Sequence, residues 1–117
     1  MSAEVYRNGR RLALSAPATD VRWLGEDALF ALGDGSVLVA PREGEPRSLP
    51  AHDGPILCAT PHPDGKRLVT GGDDGRVKIL APDGSVETIA EARSWVNHVA
   101  ASPASGVIVA GIGKQAI

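Results

Sequence analysis

The strongest constraint on what this chain can fold into is an internal repeat. The segments LFALGDGSVLVA, VTGGDDGRVKIL and VAGIGKQAI begin at Leu29, Val69 and Val109, forty residues apart, and the apolar residues after their turns, Val37, Val77 and Ile117, keep the same interval. A fixed period of this length marks stacked units, none of which buries a core alone. Inside each unit, short β-prone runs alternate with clusters of Gly, Pro and Asp. Leu68-Val69-Thr70 and Val77–Leu80 flank GGDDGR, and Leu29–Leu32 and Val37–Ala40 flank GDGS. Pro63-Asp64-Gly65 turns the chain between Ile56–Thr60 and Leu68–Thr70, and Pro82-Asp83-Gly84 leads into Val86–Ile89. Pro presets φ and Asp-Gly supplies the positive-φ positions that tight hairpins need. No stretch carries a useful helical period.

Four short strands joined by three tight turns in about forty residues make the blade of a β-propeller. The expected fold is therefore all-β: a partial β-propeller of four-stranded antiparallel blades with a period of about 40 residues, in units of approximately 12–51, 52–91 and 92–117. The last unit stops at Ile117, inside what should be its third strand. Closed propellers have roughly four to eight blades whose flat faces bury one another. The chain is accordingly expected to be the amino-terminal piece of a longer protein or a broken reading frame. Alone, it would expose apolar flanks and unpaired strand edges, which promote association.

Composition narrows the partners. The 117 residues amount to one domain at most, with 43% hydrophobic and 22% charged residues, ordinary for a globular chain, while aromatics at 3% leave a thin core of aliphatic side chains. Lys and Arg number 12 against 14 acidic residues, and the only basic doublets are Arg10-Arg11 and Lys66-Arg67, too few to displace counterions from a nucleic acid. Cys58 is the only cysteine, so no intrachain disulfide forms and a cytoplasmic location is expected. Leu12 to Ala16 is too short for a signal core, and no apolar run reaches the length of a membrane span.

His52 to Leu80 reads HDGPILCATPHPDGKRLVTGGDDGRVKIL, and its HDG, HPDG, TGG and DDG resemble the WD-repeat (β-transducin repeat) family, whose pattern runs from His-x-Gly through a Ser-Pro-Asp-Gly turn and Ser/Thr-Gly to Asp-Gly. The resemblance implies a structural hydrogen-bond set of His52, Thr70 and Asp74. Its fourth member, a Trp, is replaced by Leu80, and Ala81 follows, so the Trp-Asp pair is absent and a three-member version remains. The flanking units are more degenerate. The first keeps Asp34 and Trp23 but has Ala40 in the Trp place, and the third keeps Ser102-Pro103 and Val109-Ala110-Gly111 with Lys114 in the Asp place.

Competing chemistries fit less well. Asp64, Asp73-Asp74 and Asp83 suggest calcium, yet a calcium loop needs six to eight oxygens and the twelve-residue spacing ending in Glu is missing; the same residues read as turn formers. The glycines lack the order of a phosphate-binding loop. Cys58, His52, His62 and His98 match no paired zinc spacing. Ser94 and His98 lack a nucleophile-elbow context. No catalytic residue, cofactor or metal site is therefore expected. Trp95 stands at the start of an innermost strand, among loops sharing one propeller face with DDGR and His52; it is either a partner anchor or a ring folded over the blade edge.

The resemblance implies a non-catalytic scaffold that presents a rigid surface to a protein partner, with the remaining blades of the parent propeller as its other neighbours. The alternative is part of a propeller enzyme, a hydrolase or lyase, whose catalytic residues lie in missing blades. A third reading is a degraded gene product without activity.

Overall fold

In the computed structural model, which describes residues 3–7, 10–113 and 115–116, every regular element is a strand. A hairpin of β1 (Ala3–Arg7) and β2 (Arg10–Leu14) comes first. Two four-stranded antiparallel sheets follow. The first comprises β3 (Ala18–Leu24), β4 (Asp27–Leu32), β5 (Ser36–Ala40) and β6 (Arg47–Pro50). The second comprises β7 (Ile56–Pro61), β8 (Leu68–Gly72), β9 (Arg76–Leu80) and β10 (Val86–Glu91). A third sheet has β11 (Val96–Ser102), β12 (Val107–Ile112) and the short β13 (Gln115–Ala116). Each sheet is a meander in which every strand pairs with its neighbours in sequence.

The sheets stack side by side: β7, the first strand of its sheet, packs against β3 on one side and β11 on the other. Thr19 Oγ1 stitches the first contact by donating to the Ile56 carbonyl at 2.8 Å. Alternation along the strands makes the faces of adjacent sheets apolar. Leu29, Val37 and Val39 of the first sheet meet Ile56, Ala59, Leu68 and Leu80 of the second in one core. Val69, Val77 and Ile79 on the other face meet Val96, Ala110 and Ile112 of the third. A third cluster holds Leu14 against Ala28, Phe30, Leu32 and Ala40, so the end of the leading hairpin covers the outer face of the first sheet.

This is the all-β partial propeller that the spacing of turns indicates. The four-stranded sheets occupy 18–50 and 56–91, and the β1–β2 hairpin lies ahead of the first of them. Lys114 and Ile117, to which the sequence reading assigned places in the third unit, lie outside the described residues. Among the described residues, no helix is long and apolar enough to cross a membrane.

Candidate functional site

In the second sheet three polar side chains lead from the β8–β9 turn into the interior of the sheet. His52 precedes β7, Thr70 lies in the middle of β8, and Asp74 sits in the β8–β9 turn. The three meet in a line: Thr70 Oγ1 is 2.8 Å from His52 Nε2, and His52 Nδ1 is 2.9 Å from Asp74 Oδ1. Asp74 accepts two further bonds, from the backbone N–H of Asp53 and of Arg76, both at 3.1 Å. The side chain of His52 and the whole of Thr70 are shielded from solvent.

The chemistry fixes the tautomer. A carboxylate only accepts, so Nδ1 carries the proton toward Asp74, and the Nε2 lone pair takes the Thr70 hydroxyl proton. Burial lowers the His52 pKa, against the opposing pull of the Asp74 carboxylate. The ring is therefore neutral near pH 7, and the contact is a charge-assisted hydrogen bond rather than an ion pair. For Asp74 the largest single influence, burial, raises the pKa, but it is outweighed by the bonds from His52, Arg76 N–H and Asp53 N–H together, and the carboxyl ends below its ordinary value. Both shifts act in the same direction on stability. The unfolded chain binds protons that the folded one refuses, so the stabilisation is present above the unfolded pKa and lost as pH falls toward the folded one. Stability should therefore begin to decline below the ordinary histidine pKa of 6.5 and decline again below the ordinary Asp value of 3.8. The first decline should disappear in His52→Gln, as measured by urea unfolding midpoints across pH 4.5–7.5.

The backbone makes room for the ring. A Cβ on Gly72 would lie 2.4 Å from His52 Nδ1 and 2.6 Å from Asp74 Oδ1. Only glycine admits the imidazole flat against the strand. Gly75, in the left-handed region at φ 79°, accepts the Ala92 N–H at 2.8 Å through its carbonyl. Gly35, its counterpart one period earlier, does the same for the N–H of His52 at 2.9 Å and of Ala51 at 3.2 Å. These two turn glycines hold the segments that lead into β7 and β11.

In the first sheet the equivalent turn acid, Asp34, accepts from the Ser15 hydroxyl and from Ser36 N–H at 3.0 Å. The Ser15 bond is the main cause of its lowered pKa. Phe30 stands in the Thr70 place and is buried, so this sheet needs no polar relay there. Ser15 is a partner that the sequence reading missed; it stands three residues away from the position that the His would occupy.

The remaining acidic turns serve themselves. Asp64 accepts from Lys66 N–H and from Arg67 Nε, both at 2.8 Å, and the Lys66 bond is the chief cause that brings its pKa down to about 2. His62 Nδ1 accepts the Asp64 N–H at 3.1 Å. Asp83 accepts the Ser85 N–H at 2.9 Å together with its hydroxyl. Among the described residues, no three His, Cys, Asp or Glu side chains gather to hold a metal ion. The half-buried Cys58 thiol, pushed up to about 11 by burial, faces the carbonyls of Gly71 and Val96 rather than a histidine. No hydrogen bond joins Ser94 to His98 among the described residues; Ser94 packs on Gly113, and His98 is exposed.

Trp95 directly precedes β11 and is 52% exposed. Its backbone is held, since its carbonyl accepts the Gly113 N–H at 3.1 Å and the preceding loop is tied to Gly75. Arg76 lies on the same rim, bonded to Asp53 at 3.0 Å.

Comparison with known proteins agrees with this geometry. The model of the WD domain, G-beta repeat, matches residues 44–79, the stretch that carries His52, Thr70 and Asp74. No curated protein sequence matches the chain. Among solved structures, a chain of the mitotic checkpoint complex superposes with a TM-score of 0.76 at 22% identity over 89% of this chain, and the WD40 β-propeller domain of Doa1 with 0.69 at 21% identity over 98%. The chain spans 35% and 42% of the length of those two structures. The chain thus has the fold of part of a WD40 propeller, and its segment 44–79 matches the WD domain, G-beta repeat, in sequence.

Proposed function

We propose that the chain is a non-catalytic interaction scaffold whose loop face, centred on Trp95, receives a protein partner. WD40 propellers generally mediate protein interactions, and one similar chain comes from a multiprotein complex. The observation that carries the reading is a half-exposed indole on a tethered backbone. An aromatic side chain has only two rotatable bonds, so on a held backbone it loses little entropy on binding, which makes it a favoured anchor. In this reading His52, Thr70 and Asp74 hold the loop ends that form the face and touch no partner themselves. Trp95→Ala should leave the circular dichroism spectrum and urea midpoint unchanged within about 0.5 kcal/mol, as for a surface substitution. The same change should remove the proteins that in-cell crosslinking captures with the unaltered chain. An unchanged set of captured proteins would overturn the assignment of Trp95.

A further inference from the structure

The repeat makes the two complete sheets comparable position by position. In the first, Phe30, Leu38 and Ser48 lie side by side across β4, β5 and β6, and Phe30 and Leu38 pack with Leu14 in an apolar cluster. The same row forty residues later, across β8, β9 and β10, is Thr70, Lys78 and Thr88. It points toward the first sheet, because Leu68 and Leu80, which share its face, belong to the core between the two sheets. An apolar row has become a polar one with a cation at its centre.

Lys78 lines an open cleft of about 470 Å³, whose apolar walls are Pro50, Ala51 and Val86. The acid and the histidine that also line it are committed elsewhere. The Asp53 carboxylate accepts from Arg76 at 3.0 Å, and His52 donates to Asp74. Lys78 is partly buried, and among the described residues its ammonium has neither an ion pair nor a hydrogen bond. The Thr88 hydroxyl on the neighbouring strand has no partner among them either. Burial is the main cause of the low His52 pKa, and the Lys78 charge adds to it. A cation drawn partly out of water without a counter-ion destabilises its surroundings until an anion joins it.

We propose that this cleft binds the carboxylate of an aspartate or glutamate side chain on an extended segment of a partner protein, with the Lys78 ammonium as counter-ion and the Thr88 hydroxyl as a second donor. One cation and one hydroxyl suit a single negative charge. A phosphate carries nearly two and is gripped by clusters of arginine, and the Asp53 carboxylate in the wall would repel the surplus. Pro50, Ala51 and Val86 give the methylenes of an acidic side chain an apolar surface. β10 is the edge of its sheet, so an extended segment can run along it with one side chain turned into the cleft. The site does not depend on Trp95, which stands at the entry to the third sheet rather than between the first and second. Either assignment can fail without the other.

Selection of a random peptide library displayed on phage against the immobilised chain of residues 1–117 reads the preference directly. Carrying Trp95→Ala, the chain collects no peptides through the indole. The recovered consensus should hold Asp or Glu at one fixed position, and Lys78→Glu should replace that acid by Lys or Arg. A consensus without an acidic position, or one that Lys78→Glu leaves unchanged, would overturn the proposal. A synthetic consensus peptide, amidated at its C-terminus, should bind Lys78→Gln at least about tenfold more weakly than the unaltered chain, the loss expected when a charged hydrogen bond is removed. The same peptide with glutamine in the acidic place should lose as much on the unaltered chain. Lys78→Gln should keep the urea midpoint of the unaltered chain, and Thr88→Val, which leaves the charge in place, should weaken peptide binding by about fivefold. Equal peptide affinity in Lys78→Gln and Thr88→Val and the unaltered chain would overturn the site. Displacement of the peptide by equimolar acetate would show a site for free carboxylates and overturn the partner segment as its occupant.

Discussion

Asp74→Ala should lower the unfolding free energy by about 3 kcal/mol, because it leaves a buried imidazole N–H without an acceptor and releases two backbone N–H groups at once. The loss should be conditional on the ring. In a His52→Leu background no buried Nδ1–H remains to be stranded, and the same substitution should cost at least about 1 kcal/mol less, the size of coupling expected inside one hydrogen-bond network. Urea unfolding of the four chains in the cycle measures the difference. Equal costs in both backgrounds would show that Asp74 acts only as a turn former.

Gly75→Ala should be of similar size for a different reason. The residue sits at φ 79°, and an added Cβ would approach the Ala92 carbonyl oxygen to 2.2 Å. The left-handed backbone costs an alanine about 1–2 kcal/mol, and displacing the Ala92 segment breaks a hydrogen bond that secures the start of β11, for about 3 kcal/mol in all. Gly65→Ala separates the two contributions, since its φ of 70° is comparable and nothing lies within 4 Å of the added carbon. It should show the conformational cost alone, about 1–2 kcal/mol. If both alanines cost the same in urea unfolding, the clamp on the following sheet contributes nothing.

Much of this architecture was legible because propeller blades are punctuated locally. Pro-Asp-Gly at 63–65 and Asp-Asp-Gly at 73–75 mark turns by the φ values they allow, independent of anything distant in the chain. The strands between them follow from what the turns leave. His52, Thr70 and Asp74 are brought together across eighteen and twenty-two residues; only the family likeness placed them in one set, since periodicity carries no information about which side chains meet. Ser15 stayed hidden because serine is common in loops and its partner, Asp34, already explained itself as a turn residue. The leading hairpin was also passed over, although Asn8-Gly9 between two β-prone runs is a strong hairpin signal. A forty-residue period carries no trace of an element that occurs once. The clamping glycines, Gly35 and Gly75, were read for their φ alone, and the carbonyl each presents to the next segment emerges only when the sheets are stacked.

Because every sheet is a meander, each one closes on residues that leave the ribosome within a few seconds of one another at ordinary elongation rates. Loop closure is cheap at such separations, so secondary structure can form in the order of synthesis. Lateral burial runs one step behind. Leu29 is sheltered only after Ile56 and Ala59 have emerged, and Val69 only after Val96. A nascent propeller of this kind therefore always carries one wet face at its growing end, moving along the chain as translation proceeds.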